Sequence, residues 1–341
     1  MKRRITTLAL GVASVAALVA APSAFAAYTS PKLQVQQAGN TTVIKAALSS
    51  DDDPTASVRI FVPAGTQLTT NQAPGTALGP VHALVKALAL AGADLPFDGQ
   101  VVVAAPGQIS AAVQTACLGP GVAPLAVWVL ALQAAGQAVP VPMFVVATGN
   151  AAAPAYLAVC LPPPDIPVAQ GGAQFGAKLY SATLTISGVF SAVPLGAWIS
   201  VWTPYSPGLG KVNLAGTVAA PAAIAPGAVT VNAKKLGLGA IVAGVVTQAG
   251  QGRGGAVVTI SGGARASGLK KLGSVKAKAN GSFSFRTRKG TFFKATTVAA
   301  PADAPPLCTQ LAPLLTPFGS PPCVNPTVNG FTASSRTVKK K

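Results

Sequence analysis

Alternation of apolar and polar positions, rather than a spacing of three or four, runs through this chain. Lys32 to Gln36 and Val43 to Leu48 alternate, and Ser57 to Val62 is a β-branched run that stops at Pro63-Ala64-Gly65. Each is bounded by turn residues, the signature of a strand with one buried face. Val81 to Leu90 has the Ala, Leu and Lys content of a helix, but its Gly79-Pro80 entry and the close spacing of neighbouring runs predict a strand. Val127 to Gln133 and Val139 to Ala147 flank Ala134-Ala135-Gly136-Gln137 and predict a hairpin. Period two puts Trp128, Leu130 and Leu132 on one face of it. Ala177 to Ile186 alternates again, and Ala197 to Tyr205 sets Trp198 and Trp202 on one face. These tryptophans predict core packing rather than a sugar-binding platform, because buried aromatics dominate core energetics.

From Ser206 to Gly239 the chain is rich in Gly, Pro and Ala, which predicts a linker leading into a short strand, Ala228 to Ala233. Strands are then expected at Ala240 to Gln248, Ala256 to Ser261, Ser274 to Lys278, Ser282 to Arg286, Thr291 to Val298 and Phe331 to Val338. Asn280-Gly281 between two alternating runs is the sequence of a type I′ hairpin turn, whose central residues both need positive φ.

Val242-x-Gly244-x-Val246, Gly255-x-Val257-Val258-x-Ile260, Asn280-Gly281-Ser282-Phe283-Ser284-Phe285 and Gly290-Thr291-Phe292 carry a resemblance. Residues 239 to 298 resemble carboxypeptidase regulatory-like, prealbumin-type β-sandwich modules, with Ala256 where that family often has proline. The resemblance implies a small sandwich acting as an accessory unit without catalytic residues. Residues 28 to 206 are similar to uncharacterised secreted bacterial β-rich proteins, which implies no activity.

Composition adds the compartment. Lys2, Arg3 and Arg4 precede an apolar stretch from Ile5 to Ala20 and then Ala24-Phe25-Ala26, the pattern of a signal peptide cleaved after Ala26. The most apolar later region, Leu125 to Val146, is broken by Gly136, Pro140 and Pro142, so no transmembrane segment is expected after cleavage. Cys117, Cys160, Cys308 and Cys323 form an even set, and disulfides are the rule in an exported chain. Of three possible connectivities, nearest-neighbour pairing, Cys117 with Cys160 and Cys308 with Cys323, is the expectation.

The expected organisation is a signal peptide (1–26), a β-rich sandwich region of one or two modules (27–206), a linker with an entry strand (207–238), and a small basic sandwich with a disulfide-clamped loop and basic tail (239–341). The fold class expected is all-β, with two or more immunoglobulin-like or prealbumin-like β-sandwich modules in tandem.

Charge is distributed unevenly. Residues 27–205 hold 5 basic and 6 acidic side chains, whereas 206–341 hold 17 basic ones and a single acid, Asp303. Such a field attracts polyanions: an anionic cell-wall polymer, lipid headgroups or nucleic acid. Lys276, Lys278, Arg286, Arg288 and Lys294 are the candidate contacts, and hairpin pairing would set them side by side as a stripe. A solvated sheet face with a basic tail, Arg336 and Lys339 to Lys341, is the competing explanation. No nucleic-acid motif accompanies the charge, so specific base recognition is not expected.

The supply of catalytic groups is thin. The chain has no glutamate, 7 aspartates and one histidine, His82, so most acid–base schemes lack their parts. A Ser-His-Asp hydrolase would have to use His82, yet no Gly-x-Ser-x-Gly elbow is present. Asp94 and Asp98 could pair as in glycosidases, but Pro96 and Gly99 suggest a turn there. Asp51-Asp52-Asp53 could ligate Ca²⁺; a turn before Pro54 is the preferred reading, and no metal or cofactor is expected. Asp165 is expected to cap a loop.

The functional expectation is a non-enzymatic, secreted structural or adhesive protein of the cell envelope. The alternatives are a dedicated polyanion-binding protein and a secreted hydrolase using His82.

Overall fold

Eleven strands close into one barrel in the computed structural model, which describes residues 28–29, 31–191, 198–223, 227–248, 251–300, 302–303, 307–323, 327–328 and 330–341. The expected signal peptide lies outside the described residues. The staves are β1 (Lys32–Ala38), β2 (Thr41–Ala47), β3 (Thr55–Phe61), β4 (Ala77–Ala87), β5 (Ala93–Val103), β6 (Ala126–Ala134), β7 (Gln137–Asn150), β8 (Ala153–Cys160), β9 (Ala177–Ser187), β10 (Ile199–Ser206) and β11 (Val218–Ala223). Around the barrel they run β10, β11, β1, β2, β9, β4, β5, β6, β7, β8, β3 and back to β10.

This overturns the expected fold class: the molecule is not a row of immunoglobulin-like sandwiches. Sandwich and barrel share period-two alternation, and what separates them is whether the two edges of the sheet find each other. Here β3 pairs with β10, Phe61 opposite Ile199 and Trp202 opposite Val58, and the ring closes. An odd number of staves cannot close with every neighbour antiparallel. The parity is met by one parallel seam, β1 beside β11, with Leu33 opposite Ala222. The stretch read as a linker therefore supplies a stave, β11.

Alternation directs Leu33, Ile44, Val58, Ile60, Val81, Phe97, Trp128, Leu130, Met143, Leu157, Leu184 and Trp202 into the barrel. All three tryptophans are buried there, as core packing requires. The β6–β7 hairpin turns on Ala135 and Gly136, both with positive φ, which matches the right-handed twist of the flanking strands.

One patch of the outer wall is also apolar. Phe61, Phe144, Val146, Tyr156, Ile199 and Val201 are buried beneath α1 (Ala111–Leu118) and α2 (Leu307–Leu315). Ser110 caps α1, its Oγ accepting from Val113 N at 3.3 Å. Both expected disulfides are formed. Cys117–Cys160 ties α1 to the end of β8, and Cys308–Cys323 closes the segment that carries α2. Two disulfides fit an oxidising environment outside the cytosol. Among the described residues, no helix is long and apolar enough to cross a membrane.

Two further sheets of five strands share a separate core containing Val242, Val246, Val258, Ile260, Phe283 and Phe293. The first holds β12 (Ala228–Val229), β13 (Asn232–Leu236), β14 (Gly239–Gln248), β15 (Gln251–Gly252) and β18 (Ser282–Thr287). The second holds β16 (Val257–Gly263), β17 (Lys270–Lys276), β19 (Phe292–Ala299), β20 (Phe331–Ser334) and β21 (Val338–Lys339). The expected β17–β18 hairpin is not a hairpin: β17 pairs with β16 and β18 with β14, in opposite sheets. Accordingly only Gly281 of the Asn280-Gly281 pair has positive φ, at 77°. Both sheets contribute Phe side chains inward, which favours crossing between sheets over folding back.

Candidate functional site

Eight staves already leave room for side chains to fill a barrel interior, and eleven enclose more than side chains of this size fill. One end is plugged. Phe190 and Trp198 meet edge to face there, with ring centres 5.3 Å apart. Towards the other end, small inward residues leave space. A cavity of about 70 Å³ lies among Ile44, Ile60, Val81, Leu130, Met143 and Trp202. It adjoins a cavity of about 270 Å³ at the rim, lined by Val85, Phe97, Val139, Ala173, Gln174 and Ala177 among others. Ala83, Leu132, Val141, Leu161 and Leu179 line both. No charged side chain lines either one, and Gln174 alone offers a polar side chain.

The loop joining β8 to β9 forms part of the rim and is held in place. Tyr205 Oη donates to Leu161 O at 2.7 Å, and Ala173 N donates to Pro163 O at 2.8 Å. Asp165 does cap a loop, its Oδ2 accepting from Gly208 N. Gly172 is obligatory, since a Cβ there would stand 2.0 Å from Ile166 O. Below the rim, Asp52 is buried and accepts from Thr29 N (2.9 Å), Thr29 Oγ1 (2.7 Å) and Ser49 N (3.0 Å). The Asp51–Asp53 triplet is thus the turn the sequence suggested, with its middle carboxylate consumed by hydrogen bonds. Burial pushes the Asp53 carboxyl up and the Lys178 ammonium down, and their mutual attraction opposes both shifts.

The residues weighed for catalysis sit elsewhere. His82 Nδ1 is paired with Asp98 Oδ1 at 2.5 Å on the exposed outer wall, directly across the β4–β5 ladder. Asp94 accepts from Lys86 Nζ at 2.7 Å and from Tyr180 Oη at 3.1 Å. The Lys86 hydrogen bond holds the Asp94 carboxyl below its ordinary range. The expected turn over Asp94 to Gly99 is strand instead, and each carboxylate has its own partner. Among the described residues, no cluster of three His, Cys, Asp or Glu could hold a metal.

The five basic candidates do not form one stripe. Arg286 stands on the outer face of the first sheet, in the row Lys234–Ile241–Arg286, with Arg288 two residues on. Lys276 and Lys294 belong to the second sheet, opposite Val257 and Ser261 of β16, while Lys278 follows the end of β17. Because β17 and β18 enter different sheets, their basic residues part company.

The cavity residues on the staves were missed because each looks like any inward strand position, and those on the loop at the rim because a loop carries no period. The one available signal is the small size of Ala83 and Ala177 on the staves, where larger residues would fill a core. The chain matches no protein-family model and no curated protein.

Proposed function

We propose that this is an exported, non-catalytic binding protein whose barrel holds a small, uncharged, apolar molecule. The observation that carries this reading is the pair of adjoining cavities, with five shared lining residues and no charged one. The inner cavity is lined by apolar side chains, a lining that offers water few polar partners and favours an apolar ligand. The larger cavity, at about 270 Å³, falls just below the roughly 300–1,000 Å³ typical of ligand sites, which limits the occupant to a small molecule. A charged ligand is disfavoured, since an unpaired charge inside would be strongly penalised. Gln174 and the loop backbone at the rim would receive a single polar end. Export is supported by the signal-like amino terminus and the two disulfides.

Titration with the neutral dye N-phenyl-1-naphthylamine tests it, followed by displacement with primary alcohols and with carboxylates of equal chain length at neutral pH. One saturable site is expected, with the alcohols displacing better. No saturable site, or equal displacement by carboxylates, overturns the reading.

A further inference from the structure

The hairpin joining β13 to β14 carries Leu236-Gly237-Leu238-Gly239 at its tip. Leu238 is 95% exposed and Leu236 49% exposed. The tip is tightly made: Gly237 has φ 53°, and Gly239 lies so close to β18 that a Cβ would stand 2.5 Å from Thr287 O. Beside the tip lies a surface groove of about 560 Å³ bordered by Leu236, Leu238, Arg286 and Arg288. Lys234 completes the row across the sheet, opposite Ile241 and Arg286. The basic carboxy terminus is tied to the same edge, with Lys235 N donating to Lys341 O at 2.8 Å and Lys341 N to Ala233 O at 3.2 Å.

A projecting leucine beside a row of cations has two needs at once: an apolar phase for the side chain and negative charge next to it. A soluble polyanion satisfies the second and not the first. The headgroup region of an anionic bilayer satisfies both, since amphipathic elements seat their apolar part at the acyl boundary while basic residues meet the headgroups. We infer that this tip is a docking site for an anionic lipid surface, with Leu238 entering the interface and Lys234, Arg286 and Arg288 contacting headgroups. The site is independent of the barrel cavity.

The test is co-sedimentation of the whole protein with vesicles of phosphatidylcholine, alone or mixed with phosphatidylglycerol, and binding to polyphosphate as an anion without an apolar phase. Wild type is expected to bind the mixed vesicles far better than phosphatidylcholine alone. Leu238→Ser is expected to weaken vesicle binding by about tenfold or more while leaving polyphosphate binding unchanged. Arg286→Gln with Arg288→Gln is expected to weaken vesicle binding and lower its salt dependence. Because Leu238 is almost fully exposed, its replacement does not threaten the fold, and a cavity-filling variant of the barrel should dock as wild type does. Equal vesicle binding by wild type and Leu238→Ser, or no preference for phosphatidylglycerol, overturns the inference.

Discussion

The guanidinium of Arg59 lies 4.0 Å above the ring of Phe318, so a stave from the first part of the barrel is joined to the disulfide-closed segment near the carboxy terminus. Arg59 is buried, donates to Ser57 Oγ at 2.7 Å and to Cys117 O at 3.1 Å, and so also touches the segment held by the other disulfide. Desolvation pulls its pKa down, the neighbouring Tyr156 phenol opposes that shift, and among the described residues no carboxylate forms an ion pair with it. The cation is held by the Phe318 ring, the Ser57 hydroxyl, the Cys117 carbonyl and the Tyr156 phenol.

Truncating this side chain, Arg59→Ala, removes a desolvated cation–π contact and two charge-assisted hydrogen bonds. A loss of about 2 kcal/mol is expected in urea unfolding. Arg59→Met keeps the stem packed and removes a buried, unpaired charge, so it should lose less than the alanine variant.

The disulfides should differ in the order set by their loops, with sequence separations of 43 for Cys117–Cys160 and 15 for Cys308–Cys323. On chain entropy, replacing the first pair by serine costs about 4 kcal/mol and the second about 3. Guanidinium unfolding of the two double variants checks the ranking.

Two glycines permit neighbouring staves to approach closely. Gly79, at φ 150°, sits at a register shift in β4, and a Cβ there would stand 2.3 Å from Thr185 O; at Gly99 it would stand 2.1 Å from Ala131 O. Both obstacles are the backbone of a neighbouring stave, so neither can yield cheaply. Gly79→Ala and Gly99→Ala should each destabilise by more than about 1 kcal/mol, whereas Gly136→Ala meets no neighbouring atom and is strained only by its φ of 77°. Thermal melts distinguish the sites.

Burial raises the phenol pKa of Tyr28, Tyr156 and Tyr205. A group whose folded pKa is raised contributes stability that is fully present below the unfolded value, about 10 for tyrosine, and is lost as pH rises through the folded value. Stability should therefore fall above about pH 10. Tyr28→Phe should fall less steeply over that range, since Tyr28 contributes the largest of the three shifts. Unfolding free energies measured across alkaline pH test both statements.

Strands with one wet face were legible in the sequence, and β1, β2, β6, β7 and β9 fall where alternation puts them; β3, buried at every position, was legible instead as a β-branched run bounded by turn residues. β8, Ala153–Cys160, was not, because it is buried from inside by the barrel core and from outside beneath the helices, and a strand covered on both sides loses its period. β5 was hidden by Pro96 and Gly99, and β11 by its alanines and Pro221. Closure itself rests on β3 meeting β10, a long-range pairing that no local pattern encodes. For the site, the basic residues were visible but their sheet assignment depended on β17 and β18 parting. The cavity depended on what alanines fail to fill.

The central claim is that the space around Ala83 is a binding cavity rather than a well-packed core. Ala83→Phe tests it most directly, by N-phenyl-1-naphthylamine titration and urea unfolding of the same variant. If the space is free, the ring fills it: dye affinity should fall by about tenfold or more, with stability changing by less than about 1 kcal/mol. Unchanged dye affinity together with a loss of several kcal/mol would mean that the ring was forced into a packed interior, and would contradict the account.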